Sequence, residues 1–252
     1  MSNRKYPLKR EKRDLRDYHF MSSSFKSPDE LPKKVDLRST MPPIVNQGEL
    51  GSCTANAIAS GLREYLLIQG HEKWTALSRL FLYWHERQLE GHIEEDSGAY
   101  IRDGMKVLQK IGVCPEEDYP YVVSHFRDTP SQIAEKDAAN YKISEYHRIP
   151  DLYALKAALA ESSPVVIGMM IYESFESPEV TQTGKIPVPK KSKERVLGGH
   201  ALLAVGYVDS GKAGYVIVRN SWGTEWGDQG YCYIPYKMFQ DPDCVMDMWT
   251  GR

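Results

Sequence analysis

Gln47-Gly48-Glu49-Leu50-Gly51-Ser52-Cys53-Thr54-Ala55 leads into a run in which Ala55, Ile58, Ala59, Leu62 and Leu66 recur at the spacing of one helix face. A helix that begins near Cys53 and stops at Gly70 follows from that pattern. The first N–H groups of a helix lack partners within it, and the aligned peptide dipoles place positive potential there. A thiolate is an anion, so a cysteine at a helix start is expected to ionise more readily than a free one. A small buried cysteine capping a helix fits the same residues, and position 53 by itself does not decide between the two.

Further helices are predicted at about 78–87, carrying Leu80, Phe81 and Trp84, at about 101–111, closed by Gly112, and near Leu152, Leu155 and Leu159. From residue 164 the texture changes. Short apolar runs at 164–171, 201–208, 214–218 and 231–234, separated by turn residues, read as strands of a closed or strongly curved antiparallel sheet. Residues 173–198 are polar and rich in Pro, Lys and Glu, and read as a long exposed loop. The fold class is therefore α+β, with a helical lobe over about 35–125, a strand-rich lobe over about 126–252, and a cleft between them.

Two further stretches carry chemistry. Gly198-Gly199-His200-Ala201-Leu202 places a histidine after two glycines that let another backbone approach closely. Arg219-Asn220-Ser221-Trp222-Gly223-Thr224-Glu225-Trp226-Gly227 offers an Asn whose amide oxygen can accept from one ring nitrogen. The other nitrogen is then free to pair with a thiol. Trp222 would shield that contact from water. A lone structural histidine and two packing tryptophans are the plain alternative.

In combination these stretches are far more specific. Gln-Gly, Gly-Ser-Cys, Gly-His-Ala and Asn-Ser-Trp-Gly-x-x-Trp-Gly occur in the order of the papain-like cysteine peptidases, which the sequence resembles over about 35–250. His200 and Asn220 lie 147 and 167 residues after Cys53; the family spacing is about 130–150, and the 173–198 insertion accounts for the excess. Val35-Asp-Leu-Arg38, Ser78-x-x-Phe81-Leu-Tyr83 and Asp118-Tyr-Pro-Tyr121 fit the same family.

The resemblance implies a two-lobed papain-like fold, with a β-barrel-like second lobe. It makes Cys53 the nucleophile, His200 the base and acid, and Asn220 the residue that orients the ring. Gln47 would donate to the oxyanion, and Trp222 would be the shielding indole. It also implies that Gly98, Ala99 and Tyr100 edge the peptide-binding strip, that Gly168 and Met169 wall the S2 pocket, and that Gly199 and Ala201 flank the histidine there. The implied reaction is peptide-bond hydrolysis through a thioester, with a polypeptide substrate and no cofactor. Acyl transfer to another acceptor, or a non-catalytic binding protein on the same fold, would use the same residues. The two glycines favour an apolar or aromatic P2 side chain. Thr54 replaces the aromatic residue that usually follows the nucleophile, and Leu50 replaces a cysteine, so the disulfides usual in secreted members cannot form. The N-terminal arm of 34 residues, much shorter than the family's usual helical pro-domains, resembles the short arms of its disulfide-poor bacterial members.

Composition narrows the rest. Thirty-two Lys+Arg against 34 Asp+Glu give a formal charge of −2, which argues against nucleic acid as a partner. No apolar run is long enough to span a bilayer, and no secretory leader is recognisable, so a cytoplasmic monomer with no membrane partner is expected. Neither the cysteines nor the histidines show metal-ligand spacing, so no metal is assigned. Cys114 reads as a loop thiol, and Cys232 and Cys244 as either free or bridged. Residues 1–34 hold ten Lys/Arg, five acids and few apolar side chains, too few to fold alone. They are expected to be an extended arm, either packed on the surface or lying over the site as a pro-segment.

Overall fold

The structure, a computed structural model, describes residues 4–210 and 213–252. Seven strands among them form one antiparallel sheet: β1 (Lys34–Asp36), β2 (Tyr146–Arg148), β3 (Val165–Tyr172), β4 (Val196–Ser210), β5 (Ala213–Arg219), β6 (Tyr231–Pro235) and β7 (Val245–Gly251). The order is β2-β7-β3-β4-β5-β6, with β1 also paired to β4. The edges β2 and β6 do not meet, so the sheet is open, and the barrel-like closure expected from the sequence is not present.

Successive strand residues point to opposite faces, and here both faces are covered. Val166, Ala201, Leu203, Val205 and Met246 join a core with the helices. Val165, Ile167, Leu202, Ala204 and Val218 join a second core on the other face. Burial on both sides explains why these strands read as unbroken apolar runs.

The first core is built from four helices. The helical run α1 comprises Cys53–Ala55, a π-helical stretch Asn56–Arg63 and Glu64–Gln69, ending at Gly70. Every residue of the π stretch is buried. Gly61 allows α1 to press on β4, because a Cβ there would lie 2.9 Å from Leu203 Cδ2. Helix α2 (Arg79–Glu90) starts where the Ser78 hydroxyl accepts from Phe81 N–H, and ends at Gly91 in the left-handed conformation. Helix α3 (Ile101–Lys110) packs against α2. Helix α4 (Gln132–Ala138) adds Ala134 and Ala138 to this core, so the helical side extends beyond the expected boundary near 125. Helix α5 (Leu152–Ala160) covers the opposite face of the sheet.

Segment 173–198 is not the bare exposed loop expected. It folds into a short 3-10 turn and helix α6 (Pro178–Thr183), and buries Phe175, Val180 and Ile186 in the second core. Cys114 lies in a loop, as expected, with its thiol buried, and all four cysteines are free. Among the described residues, no helix is long and apolar enough to cross a membrane.

The arm is extended. Its residues 4–11 run between the helical side and β4, and Leu8 is buried in the first core. Pro7 bridges Gly199 in parallel. Of the two placements open for the arm, its N-terminal stretch adopts the one inside the cleft.

Candidate active site

Cys53 is the first residue of α1, and the loop before it is tied down by side chains. Gln47 Nε2 donates to Leu50 O at 3.0 Å. Tyr121 Oη donates to Gln47 O at 2.9 Å and lies 2.5 Å from Ser52 Oγ, so the serine hydroxyl supplies that proton. Asn56 Nδ2 donates to Ser52 O at 2.9 Å. The sulfur receives backbone N–H groups of Ala201 and Thr54, which favour the thiolate, yet burial outweighs them and pushes the thiol up to about 12. The easily ionised thiol expected from the helix start is therefore absent while the cleft is covered. Desolvation decides, not the dipole.

His200 lies within β4, opposite Met169 of β3. Its Nε2 is 2.9 Å from Asn220 Oδ1, which also accepts from the Ser221 N–H at 2.8 Å. An amide oxygen only accepts, so Nε2 carries the proton and Nδ1 keeps its lone pair. Nδ1 is buried and has no hydrogen-bond partner among the described residues. Burial lowers the imidazole to about 4; the Asn220 bond opposes this and the Arg4 charge adds to it. Trp222 stacks on the ring, with Phe175 and Trp226 edge-on behind it.

Gln47 is locked from both ends. Its Oε1 accepts from Ser221 Oγ at 2.6 Å, and its own N–H donates to Ser221 O at 2.8 Å. One Nε2–H remains for a ligand beside Cys53. Through Ser221, the glutamine on the helical side and the asparagine on the sheet side form one hydrogen-bonded unit.

The arm fills the groove, with Tyr6 at His200, Leu8 at Gly168 and Lys9 beyond it, so it runs in the direction opposite to a cleavable peptide. Gly199 N–H donates to Tyr6 O at 3.0 Å, Leu8 N–H to Gly199 O at 3.1 Å, and Lys9 N–H to Ala99 O at 3.3 Å. Gly98 has φ +65, and a Cβ there would lie 2.2 Å from Pro7 O, so only glycine lets the chain pass. Leu8 presses on Gly168 and Gly199, with Ile101 and Met246 beside the same glycine. Tyr6 meets His200 edge-on at 6.0 Å, and the Arg4 guanidinium lies 4.0 Å over Trp222.

Most of the residues expected at the site therefore come together: Gln47, Cys53, His200, Asn220 and Trp222 around the reactive pair, and Gly98, Ala99, Tyr100, Gly168, Gly199 and Ala201 along the groove. Met169 does not join them. It is one residue out of phase with Gly168 on β3, and packs in the second core on the far face. Met246 and Ile101 take the place intended for it.

Ser52, Tyr121, Ser221 and Phe175 also build the site and were not singled out for it. Ser52, Tyr121 and Ser221 lie inside quoted motifs, so their positions carried a signal. Glu86 carried none. It is wholly buried behind the nucleophile, and its Oε2 accepts from Thr54 Oγ1 at 2.7 Å.

Comparison with known proteins finds similarity over most of the chain. The family model described as papain family cysteine protease matches residues 31–248. A peptidase C1-like protein of Acanthamoeba polyphaga mimivirus is 42% identical over 230 residues, covering 87% of this chain and 72% of its own length. Cysteine proteinase 3 of Entamoeba histolytica is 29% identical over 205 residues, covering 79% of this chain. The chain spans only 61% of that relative's length. Among solved structures, xylellain, a cysteine protease from Xylella fastidiosa, superposes with a TM-score of 0.89 at 37% identity, covering 100% of this chain and 97% of its own. Digestive procathepsin L 3 of Tenebrio molitor shares the fold, with a TM-score of 0.70 at 20% identity over 99% of this chain and 76% of its own.

Proposed function

The chain belongs to the papain family of cysteine proteases, and from that premise we propose that it is an endopeptidase whose chemistry is carried by Cys53, His200, Asn220 and Gln47. The observation that carries the reading is the histidine. Asn220 fixes Nε2 as the donor, Trp222 covers that bond, and the basic Nδ1 is left over next to the residue whose N–H meets the Cys53 sulfur.

In the reaction His200 Nδ1 takes the Cys53 proton, and the thiolate attacks the carbonyl carbon of a bound peptide. The C=O pair moves onto oxygen, where the spare Gln47 N–H and a backbone N–H at the start of α1 hold the negative charge. Collapse re-forms the carbonyl and breaks the C–N bond, while His200 returns its proton to the leaving amine. Water then attacks the thioester, gives its proton to His200, and the acid departs as the thiol is restored. Neighbouring Asn220 stabilises the imidazolium formed in between.

The arm is its own first inhibitor in this reading. Residues 6–9 fill the space a substrate needs, and burial keeps the thiol protonated until they leave. The test combines labelling and digestion. After the arm is loosened by Leu8→Ser, iodoacetamide should alkylate Cys53 much faster than Cys114, Cys232 or Cys244. The same protein should cut a peptide library that Cys53→Ala leaves intact. Equal alkylation of all four thiols, or equal digestion by both proteins, would overturn the reading.

A further inference from the structure

Resting on the peptidase reading, we infer that Tyr121 is a positioning residue for the reaction: its hydroxyl sets the spacing between the two donors that meet the oxyanion. Those donors are Gln47 Nε2 and the backbone N–H of Cys53, at opposite ends of one loop. Paired donors stabilise a developing charge only when both point at it. Whatever fixes the two loop ends against each other therefore acts on the transition state.

A chain of hydrogen bonds joins the ends, and its proton directions follow from its termini. Arg79 only donates, and its Nη1 lies 3.0 Å from Asn56 Oδ1, so Asn56 Nδ2 is the atom that faces Ser52. Nδ2 donates to Ser52 Oγ at 3.0 Å. A carbonyl only accepts, so the single Tyr121 hydroxyl proton goes to Gln47 O at 2.9 Å. The Ser52 hydroxyl then donates to Tyr121 Oη at 2.5 Å. The chain runs one way, from Arg79 through Asn56, Ser52 and Tyr121 to Gln47. Gln47, Ser52 and Asn56 are all buried, which keeps water from replacing these bonds.

Each end of the chain reaches one donor. Ser52 O and the Cys53 N–H lie in the same planar peptide unit. Ser52 O accepts from the Asn56 N–H at 3.0 Å and from Asn56 Nδ2 at 2.9 Å, which fixes that plane and with it the Cys53 N–H. At the other end, Tyr121 holds the carbonyl of Gln47. Among the described residues, the Tyr121 hydroxyl is the one group bonded to both Gln47 and Ser52. Tyr121 is itself held: its N–H donates to Glu116 Oε1 at 2.7 Å, and the Arg79 guanidinium lies 3.8 Å over its ring. Asp96 also ties the loop, accepting from the Gly51 N–H at 2.9 Å, but that bond is to neither donor residue.

The experiment uses the full-length chain with Leu8→Ser, which opens the groove, as the parent. Tyr121→Phe deletes one oxygen and keeps the ring under Arg79. With a quenched peptide, kcat should fall about tenfold while KM stays within about twofold, because the donors are fully engaged only in the transition state. A peptide aldehyde adds to the Cys53 thiol and places its carbonyl oxygen between the donors, so its affinity should fall by a similar factor. Iodoacetamide reacts at a saturated carbon and develops no oxyanion, so its rate with Cys53 should stay within about twofold of the parent. Adding Tyr121→Phe to Gln47→Ala, which already lacks one donor, should lower kcat by no more than about a further twofold. Ser52→Ala, an independent variant, keeps the Tyr121 bond to Gln47 but cuts the link to Asn56, and should show the same split between hydrolysis and alkylation. An unchanged kcat, an alkylation rate that falls with it, or a fully additive loss in the double variant overturns the positioning role and leaves the peptidase standing. A parent that cleaves nothing and alkylates its four thiols alike overturns both.

Discussion

The Trp222 indole lies parallel to the His200 imidazole, with ring centroids 4.9 Å apart and planes 23° apart. The stack lies over the bond from Nε2 to Asn220, and Phe175 and Trp226 close the space behind the indole. A hydrogen bond screened from water is stronger than one exposed to it. Trp222→Ala should therefore free the imidazole to turn as well as remove buried surface. We expect kcat to fall by ten- to a hundredfold, about 1.4–2.8 kcal/mol, with a smaller change in KM. Steady-state kinetics decides this, and an unaltered kcat would show that Asn220 alone holds the ring.

Leu8 is the arm's apolar anchor. It is buried among Gly168, Gly199, Ile101 and Met246. Truncating such a residue removes about 2–3 kcal/mol of packing. Leu8→Ala should raise the open fraction of the groove by some thirtyfold or more, and with it the rate at which iodoacetamide reaches Cys53. Mass spectrometry of the alkylated chain reads that rate. A rate equal to wild type would mean that residues other than Leu8 keep the groove shut.

Gly98 tests the groove from the other wall. With φ +65 and Pro7 O only 2.2 Å from where a Cβ would stand, alanine strains the backbone and blocks the passing chain. Gly98→Ala should weaken arm docking and raise KM for peptides together, since both use the same strip. A variant that loosens the arm but keeps KM would separate the two paths.

Much of this site was legible because its signals are local. The helix at Cys53 announces itself by spacing, and the His200 and Asn220 stretches by their glycine and tryptophan neighbours. What was hidden depends on pairing at long range. Met169 and Gly168 differ by one step of a period-two strand, and when both faces of a sheet are buried the pattern does not say which residue faces the groove. Phe175, Val180 and Ile186 are too sparse in a polar segment to betray a buried helix. Strand β7, Val-Met-Asp-Met-Trp-Thr-Gly, is poor in β-branched residues and alternates weakly. The arm's placement rests on backbone bonds to residues 99 and 199, which no local pattern encodes.

One buried carboxyl makes arm docking depend on pH. Glu11 is buried against Asp247, Arg102, Arg148 and the Trp249 indole, and desolvation raises it to about 7 from an ordinary 4.5, with Asp247 adding to the shift. Its docked form holds a proton that the free arm releases, so its contribution is present below 4.5 and fades as pH rises through 7. Docking should therefore be strongest below about 4.5 and weaken as pH rises through 7. In Glu11→Gln this alkaline decline should vanish. Limited tryptic cleavage at Arg13 and Arg16 monitors docking, and an alkaline decline that persists in Glu11→Gln would remove Glu11 from the account.

Behind the nucleophile, Glu86 is sealed in the helical core. Thr54 Oγ1 donates to one of its oxygens, and Gly104 leaves room for the other, which would lie 2.3 Å from a Cβ at that position. Burial holds the carboxyl well above its usual range, which favours its neutral form in the folded protein. The folded state then keeps a proton that the unfolded chain loses above about 4.5, and its stability falls with rising pH on this account. Gln is neutral at every pH and accepts from Thr54 in the same way. Glu86→Gln should match wild type in urea near pH 4 and exceed it increasingly towards pH 9. Glu86→Ala, which opens a cavity and strands the Thr54 hydroxyl, should cost about 2–4 kcal/mol throughout. Comparing each variant with wild type at the same pH cancels the other titrating groups, so a Gln variant with the wild-type pH slope would show that Glu86 ionises inside the fold. The residue would then be a buried charge next to Thr54, and the thiolate of Cys53 would have to form against it.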